Sequence, residues 1–327
     1  MPRASVEAGA FAPAWWLPGP HAQTLWPALL RRTPLPILDH EELNLPDGDF
    51  VDLHRTRGRG AIVALFHGLE GSLRSHYARG LIAAIAGAGW RCVFMHFRGC
   101  SGRHNRLPRS YHSGDTGDIA FLLRTLSERE PGTPLAAIGI SLGGNALLKY
   151  LGEERVPGTL RAAAAVSVPF QLADGAARLD RGFSRLYQRH LLGRLRRKFR
   201  DKFRNGAPPV PIGDLDSLDN FRKFDGAITA PLHGFRDADD YYSRSSSRQF
   251  LGRICVPTLI LQARDDPFLT PAALPRAGEL SDCVRLELSR DGGHVGFVGG
   301  RWPWRPEYWL DRRIPDWFRD HLESGAR

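Results

Sequence analysis

Short apolar runs alternate with segments of helical periodicity along most of this chain, and that alternation limits the folds open to it. Residues 61–66 read AIVALF, a continuous apolar run that is typical of a strand covered on both faces. Residues 115–129 carry apolar side chains at the three- and four-residue spacing of a helix. Strands that alternate with helices predict an α/β fold whose mostly parallel, twisted sheet has helices on both faces. The predicted strands are 61–66, 91–97, 135–140, 162–168, 258–262 and 284–288; the predicted helices are 77–88, 115–129 and 145–152; and segments 41–45 and 50–54 predict a hairpin.

The alternation stops between residues 170 and 253, after the fourth predicted parallel strand. That interval is mostly helical in pattern, so we expect it to form a cap inserted into a single core of residues 37–169 and 254–327. Residues 1–36 are rich in Trp and Pro. Their prolines exclude one long helix and predict irregular structure with a short helix near residues 23–30, packed on the core.

Cysteine usage and hydropathy restrict the class of protein further. The four cysteines lie far apart without a CxxC pair, which disfavours both a zinc cluster and a disulfide framework. No metal and no cofactor are therefore expected. The first residues lack the apolar segment of a secretory signal, and no stretch approaches the ~20 apolar residues that cross a bilayer. Cytoplasmic residence is the resulting expectation.

A Gly-Ile-Ser-Leu-Gly sequence at 139–143 follows a predicted buried strand and opens a predicted helix. On such a bend a serine is exposed as a nucleophile, and Gly139 and Gly143 let the backbone turn without collision. The N-terminus of the following helix also favours negative charge that develops nearby. A bare GxSxG pattern is weak, but this position between strand and helix makes Ser141 the candidate nucleophile.

A second motif, His-Gly-Leu-Glu-Gly at 67–71, directly follows the AIVALF strand. Acyl transfer needs hydrogen-bond donors aimed at the oxyanion of the tetrahedral intermediate. On a strand–serine–helix bend these donors come from the residue after the nucleophile and from a loop after an early strand. We therefore assign them to the backbone N–H groups of Leu142 and Leu69. His67 and Gly68 are expected to shape the loop, with His67 not acting as a base.

A general base and its orienting acid are expected to follow the serine in the order Asp, then His. Ala-Arg-Asp-Asp-Pro at 263–267 follows an apolar strand, and Gly-Gly-His at 292–294 follows the last predicted strand. A glycine loop there lets the His294 imidazole reach back over the sheet edge to Ser141. Asp266 is the preferred acid, because Pro267 fixes the turn after it, while Asp265 stays open as the alternative. Ser141 would then attack, His294 would transfer the proton, and Asp266 would orient the imidazole.

These motifs resemble the YheT-type branch of the α/β-hydrolase superfamily (the AB hydrolase 4 family), and the resemblance spans nearly the whole chain. It implies the α/β-hydrolase fold, carboxylic-ester hydrolysis with acylglycerols or phospholipids suggested for relatives, and a triad at Ser141, Asp266 and His294. A thioesterase or acyltransferase with the same triad is the alternative enzyme, although the H-x4-D signature of a related acyltransferase branch is absent. A catalytically idle lipid-binding protein on this scaffold is the alternative from another class. The matching stretches are PHAQTLWP at 20–27, HGLEGS at 67–72, MHFRGCSG at 95–102, YHSGDTGD at 111–118, GISLGGN at 139–145, TAPLHGF at 229–235 and GGHVGF at 292–297.

The net charge of +10 is concentrated in one segment. Residues 181–204 hold ten Lys or Arg and the single acid Asp201, a net of +9, so the rest of the chain carries +1. Within it, aromatic and Leu residues recur every four positions, which predicts an amphipathic helix. We expect a cap helix that covers the active site while its charges are solvated. A helix bound to an anionic membrane surface is the alternative. Nucleic-acid binding is disfavoured, because no recognised module accompanies the charge. The apolar stripe is Phe183, Tyr187, Leu191, Leu195, Phe199 and Phe203.

Overall fold

The computed structural model describes residues 5–206, 208–211 and 213–323, and a nine-stranded sheet forms its centre. Residues 1–4 of the predicted N-terminal segment and residues 324–327 lie outside this description. The strands of the main sheet are β1 (Ser5–Ala8), β2 (Leu38–Asn44), β3 (Phe50–Thr56), β4 (Ile62–Phe66), β5 (Arg91–Met95), β6 (Leu135–Ile140), β7 (Leu160–Val166), β8 (Thr258–Ala263) and β9 (Val284–Ser289). A separate antiparallel hairpin contains β10 (Val298–Trp302) and β11 (Arg305–Tyr308).

Ten helices surround the sheet within the described residues. They are α1 (Pro20–Leu30), α2 (His76–Gly87), α3 (Gly117–Arg129), α4 (Leu142–Glu153), α5 (Leu172–Leu179), α6 (Ser184–Lys202), α7 (Phe221–Phe224), α8 (Ala230–Leu232), α9 (Ala238–Ser245) and α10 (Leu310–Leu322). A π-helical turn, Asp225–Thr229, joins α7 to α8. Short 3₁₀ turns complete the regular structure at Leu215–Ser217, Ser247–Arg253, Pro271–Ala273 and Ala277–Glu279.

The strand order is β1-β9-β8-β7-β6-β4-β5-β3-β2, with β2 and β3 antiparallel to their neighbours and all other pairs parallel. This confirms the predicted α/β-hydrolase-type sheet. Every residue of β4, β6 and β8 is buried, because helices cover both faces. Alternate residues of β4 point to opposite sides. Phe66 packs in the cluster that contains Leu147 of α4, whereas Leu65 packs with Leu81 of α2 and Phe318 of α10.

The sequence analysis missed β1, the β10–β11 hairpin and α10. The expectation that residues 284–288 form the last strand holds for the main sheet but not for the chain, because the hairpin follows them. β1 spans four residues, forms the edge of the sheet and pairs in parallel with β9. Such a short, half-polar segment is placed by its distant partner and shows no periodicity of its own.

The cap helices α5–α9 lie between β7 and β8, where the helical insertion was predicted. Most of the apolar stripe does not point to solvent, although Phe183 at its start is exposed. Four of its members, Tyr187, Leu191, Leu195 and Phe199, pack in a cluster with α5 and α7. Across the described residues, no helix combines the length and apolar content that crossing a bilayer requires.

Candidate active site

Ser141 occupies the bend between β6 and α4, in a backbone conformation that non-glycine residues rarely adopt (φ 52°, ψ −116°). Its N–H donates to the carbonyl of Val166 at 2.8 Å, which ties the bend to β7. A Cβ added at Gly139 would lie 2.5 Å from the Gly143 carbonyl oxygen, and one at Gly143 would lie 2.5 Å from that of His67. The bend therefore requires glycine at both positions.

The structure brings three distant segments together at this serine. His294 Nε2 lies 3.0 Å from Ser141 Oγ, and His294 Nδ1 lies 2.9 Å from Asp266 Oδ2. Asp266 is buried, and its carboxylate also accepts from Gln262 Nε2 at 3.1 Å and from the Phe268 N–H at 2.9 Å. Because the carboxylate accepts the Nδ1 proton, Nε2 is left free to accept the proton of the serine hydroxyl.

The neighbouring carboxylate, Asp265, does not contact the imidazole. Its Oδ1 accepts from the Gly293 N–H at 2.9 Å, and burial raises the pKa of this carboxyl group. Asp265 therefore holds the loop that carries His294, while Asp266 contacts the ring. The sequence alone left the two alternatives open, because they are adjacent and chemically identical.

Two contacts to His294 were not predicted. The ring of Phe268 stacks on the imidazole with the centroids 3.9 Å apart and the planes 2° from parallel. The backbone N–H of His294 donates to Thr24 Oγ1 at 2.9 Å, and a Cβ at Gly293 would lie 2.5 Å from the Pro20 carbonyl oxygen. Helix α1 therefore packs directly on the histidine loop. The PHAQTLWP stretch was the sequence signal for this contact.

The loop after β4 brings free backbone donors to the other side of the serine. A Cβ at Gly68 would lie 3.2 Å from Ser141 Cβ. The Gly68 N–H donates to Tyr77 Oη at 2.9 Å, and the Glu70 N–H donates to Tyr111 Oη at 2.7 Å. Between them in the chain, the Leu69 N–H has no acceptor among the described residues. The Leu142 N–H has none there either. Both leucines line the cavity next to Ser141.

His67 is buried and contacts the loop backbone, as predicted for a residue that shapes it. Its Nδ1 donates to the Gly68 carbonyl oxygen at 2.6 Å, and its Nε2 accepts from the Phe97 N–H at 3.0 Å. Burial lowers the pKa of His67 to about 3, so the ring is neutral at physiological pH. With both nitrogens engaged, His67 is not available as a base.

The basic cap helix contacts the same loop. Lys198 Nζ lies 2.9 Å from Glu70 Oε1 and 3.0 Å from Cys100 Sγ, and Arg194 donates to the Glu70 carbonyl oxygen at 2.6 Å. Burial opposes the charge on Lys198, but Cys100 and Glu70 outweigh it and raise the pKa of the ammonium group. The expectation that the cap charges are simply solvated is therefore wrong for these residues. Lys202 likewise donates to Asn105 Oδ1 at 2.6 Å.

Two cavities meet at Ser141 and His294. The inner pocket lies beneath the cap, and the outer cleft lies between α1 and α6. The inner pocket is lined mainly by apolar side chains, among them Leu172, Leu179, Leu191, Phe221 and Leu269. The outer cleft is lined by Thr24, Leu25, Leu29, Leu186, Tyr187 and Phe268, among others.

A buried carboxyl group, Asp225, also lines the inner pocket, and the sequence analysis missed it. Thr229 Oγ1 donates to Asp225 Oδ1 at 2.6 Å, and Tyr242 Oη donates to Oδ2 at 2.8 Å. Burial raises the pKa of Asp225 to about 6. Its position at the start of a π-helical turn gives no periodic sequence signal. Over the described part of the chain, no three His, Cys, Asp or Glu side chains are grouped as metal ligands.

Comparison with known proteins places the chain in a family. The sequence model of the α/β-hydrolase fold matches residues 61–300. The chain is 43% identical to the esterase-type protein YheT of Escherichia coli (strain K12), over 94% of this chain and 92% of that protein. The chain belongs to the YheT-type branch of the α/β-hydrolase superfamily. Its sequence resemblance to that branch is thereby confirmed.

Other members of this esterase- and lipase-like family are more distant. Phospholipase ABHD3 of Mus musculus is 31% identical over 80% of the chain, which spans 64% of that phospholipase. The monoacylglycerol lipase of Saccharomyces cerevisiae is 31% identical over 74% of the chain, which spans 56% of the lipase. Among solved structures, the α/β hydrolase GrgF from Penicillium sp. sh18 has a TM-score of 0.60 at 14% identity, covering 88% of this chain and 99% of that one. This structural likeness supports the fold.

Proposed function

We propose that this member of the family hydrolyses carboxylic esters of acyl lipids, with Ser141 as nucleophile, His294 as general base and Asp266 as the orienting acid. The observation that carries the proposal is the continuous series of contacts from Asp266 through His294 to Ser141 Oγ. A buried carboxylate, a neutral imidazole and a hydroxyl in this order are what activation of a serine requires.

In the proposed reaction, Ser141 Oγ attacks the ester carbonyl carbon and His294 Nε2 takes the hydroxyl proton. The oxyanion of the tetrahedral intermediate accepts hydrogen bonds from the Leu69 and Leu142 N–H groups, which have no other acceptor among the described residues. His294 then protonates the leaving alcohol, and an acyl-serine ester remains. Water attacks that ester with the same base, which releases the acid and restores Ser141.

The shape and polarity of the two cavities favour a lipid acyl ester. The apolar inner pocket suits an acyl chain, because moving each methylene group from water into an apolar pocket stabilises the complex by about 0.8 kcal/mol. The outer cleft then takes the alcohol part of the ester. The names of the relatives, a phospholipase and a monoacylglycerol lipase, agree with this substrate class.

A series of p-nitrophenyl esters with acyl chains of two to about sixteen carbons tests the proposal. We expect Ser141→Ala to lower kcat by at least about 10³-fold with folding retained, as for a lost serine nucleophile, and a fluorophosphonate probe to label the wild type at Ser141 alone. The chain length with the highest kcat/KM reports the depth of the inner pocket. Failure of the wild type to label would favour an idle lipid-binding scaffold, and matched thioesters cleaved far faster than oxygen esters would favour a thioesterase.

A further inference from the structure

The mouth of the outer cleft is bordered by exposed apolar side chains from two helices. Leu29 of α1 is 63% exposed, Leu186 of α6 is 50% exposed, and Phe183, directly before α6, is 46% exposed. All three line the cleft that leads to Ser141 and His294. Large apolar side chains that cluster around a cavity mouth are typical of an interaction surface, whereas single ones are not. We call these three residues the rim.

Phe183 of the rim is packed against α1. The Phe183 ring lies 4.3 Å from the ring of His21, and His21 Nδ1 lies 3.0 Å from Tyr187 Oη. These contacts join the start of α1 to the start of α6 across the cleft. Four members of the predicted apolar stripe are packed inside the cap. The exposed apolar contact therefore comes from Phe183 at the start of the stripe, from Leu186 beside it and from α1.

Unpaired arginines lie beside the rim. Arg185 and Arg189 are exposed, and no carboxylate of the described residues contacts either of them. Residues four apart share a helix face, so Arg185 and Arg189 form a ridge next to the one that Leu186 and His190 present to the cleft. Farther along α6, by contrast, Arg200 contacts the carboxylate of Asp216.

We propose that the rim and the Arg185–Arg189 ridge dock on the surface of an anionic lipid bilayer, with the outer cleft facing the lipid. Apolar side chains would enter the boundary between headgroups and acyl chains, and the arginines would bind lipid phosphates. A lipid ester could then enter the cleft without crossing bulk water. This last consequence rests on the proposed function, whereas the docking itself does not.

Vesicle sedimentation with the Ser141→Ala protein tests the docking without hydrolysis of the lipid. Vesicles of phosphatidylglycerol and phosphatidylcholine are compared with vesicles of phosphatidylcholine alone. We expect binding to the anionic vesicles that weakens as salt is raised. Added to this background, Arg185→Gln with Arg189→Gln should weaken binding by about tenfold or more, since each basic residue near an anionic surface contributes roughly a fivefold factor. Leu29→Ser with Leu186→Ser should weaken vesicle binding by a similar factor, because these substitutions remove the apolar side chains that would enter the bilayer.

The matched control is Arg59→Gln with Arg155→Gln. These exposed arginines precede β4 and β7, at the edge of the sheet opposite Ser141, and we expect them to leave vesicle binding unchanged. Equal loss in this control would mean that only net charge matters and would overturn the proposal. It would equally be overturned if the anionic vesicles bound no protein, or if the rim substitutions only abolished a dimer in solution.

One further measurement separates this proposal from the proposed function. With Ser141 restored, the Arg185→Gln and Arg189→Gln protein should hydrolyse a water-soluble short-chain ester at the wild-type rate, because neither arginine lines the inner pocket or the cleft. Its rate on vesicle-borne ester should fall in parallel with vesicle binding. If vesicle binding were lost while the rate on vesicle-borne ester stayed the same, docking would not deliver the substrate. The inference that a docked protein receives lipid esters directly from the bilayer would then be wrong.

Discussion

The sheet edge and the cap both border Ser141, but they contribute differently. Loops at the carboxyl ends of β6, β8 and β9 supply the side chains that contact one another in the series from Asp266 to Ser141. The cap supplies the wall of the inner pocket, and its Lys198 contacts Glu70, next to the proposed oxyanion donor Leu69. Changes at the sheet edge should therefore abolish the chemical step, whereas changes in the cap should weaken donor geometry or stability.

The largest expected effect lies at the sheet edge. Asp266→Asn should lower kcat by about 10³- to 10⁴-fold, because an amide favours the wrong tautomer of His294 and does not stabilise the imidazolium. The adjacent substitution Asp265→Asn is the matched control and should cost about tenfold or less, since Asp265 contacts the backbone of the histidine loop and not the imidazole. Steady-state kinetics on one soluble ester decides between them. A larger loss for Asp265→Asn would reverse the assignment.

The second expected effect lies in the cap and concerns stability. The pKa of Asp225 is raised from 3.8 to about 6 by burial, so the folded protein holds this proton more tightly than the unfolded chain does. This contribution to stability is present below about pH 4 and is lost as pH rises through 6. Asp225→Asn carries no such charge, so we expect it to gain up to about 3 kcal/mol relative to wild type between pH 4 and pH 8.

Urea unfolding of the wild type and Asp225→Asn at pH 4, 5, 6 and 8 measures that gain. The control Asp239→Asn removes an exposed carboxylate of the same cap that pairs with Arg222, and it should change the free energy of unfolding by less than about 1 kcal/mol at every pH. A difference between wild type and Asp225→Asn that stays constant over this pH range would contradict the prediction.

The third expected effect tests whether the cap positions the Leu69 donor. Lys198→Met leaves the buried Glu70 carboxylate without its cation, and we expect kcat to fall about tenfold while KM changes little, because an oxyanion contact acts mainly in the transition state. Lys202→Met is the control, as it removes a cation one turn later that binds Asn105 and not Glu70. If both variants lost only stability, the cap would have no part in the chemical step.

The smallest expected effect lies where α1 meets the histidine loop. Thr24→Val removes the acceptor of the His294 N–H and should lower kcat about threefold through a less well fixed imidazole. Thr24→Ser keeps the hydroxyl and should retain the wild-type rate. Equal kinetics for the two variants, measured on the same soluble ester, would show that α1 only covers the loop.

The parallel sheet could be predicted because strands such as β4 and β6 are buried on both faces and read as uninterrupted apolar runs. The positions of Ser141 and His294 followed from glycine-rich bends after such strands, where the backbone itself restricts the residue type. By contrast, β1 depends on a partner strand far away in the chain, and the burial of Asp225 depends on how the cap helices pack around it. No local sequence pattern indicates either feature. Likewise, the contact between Lys198 of α6 and Glu70 depends on where the loop after β4 lies, which the sequence of α6 does not show.

The hydrogen bond from the His294 N–H to Thr24 Oγ1 joins positions 270 residues apart. During synthesis on the ribosome, Thr24 is made long before His294. In the same way, β1 cannot pair until β9 has been made. Because this contact has to form late, a growing chain can assemble β4 to β7 and yet lack the proposed base of Ser141. Under the proposed function, a growing chain that has not yet reached residue 294 is therefore expected to be inert toward esters.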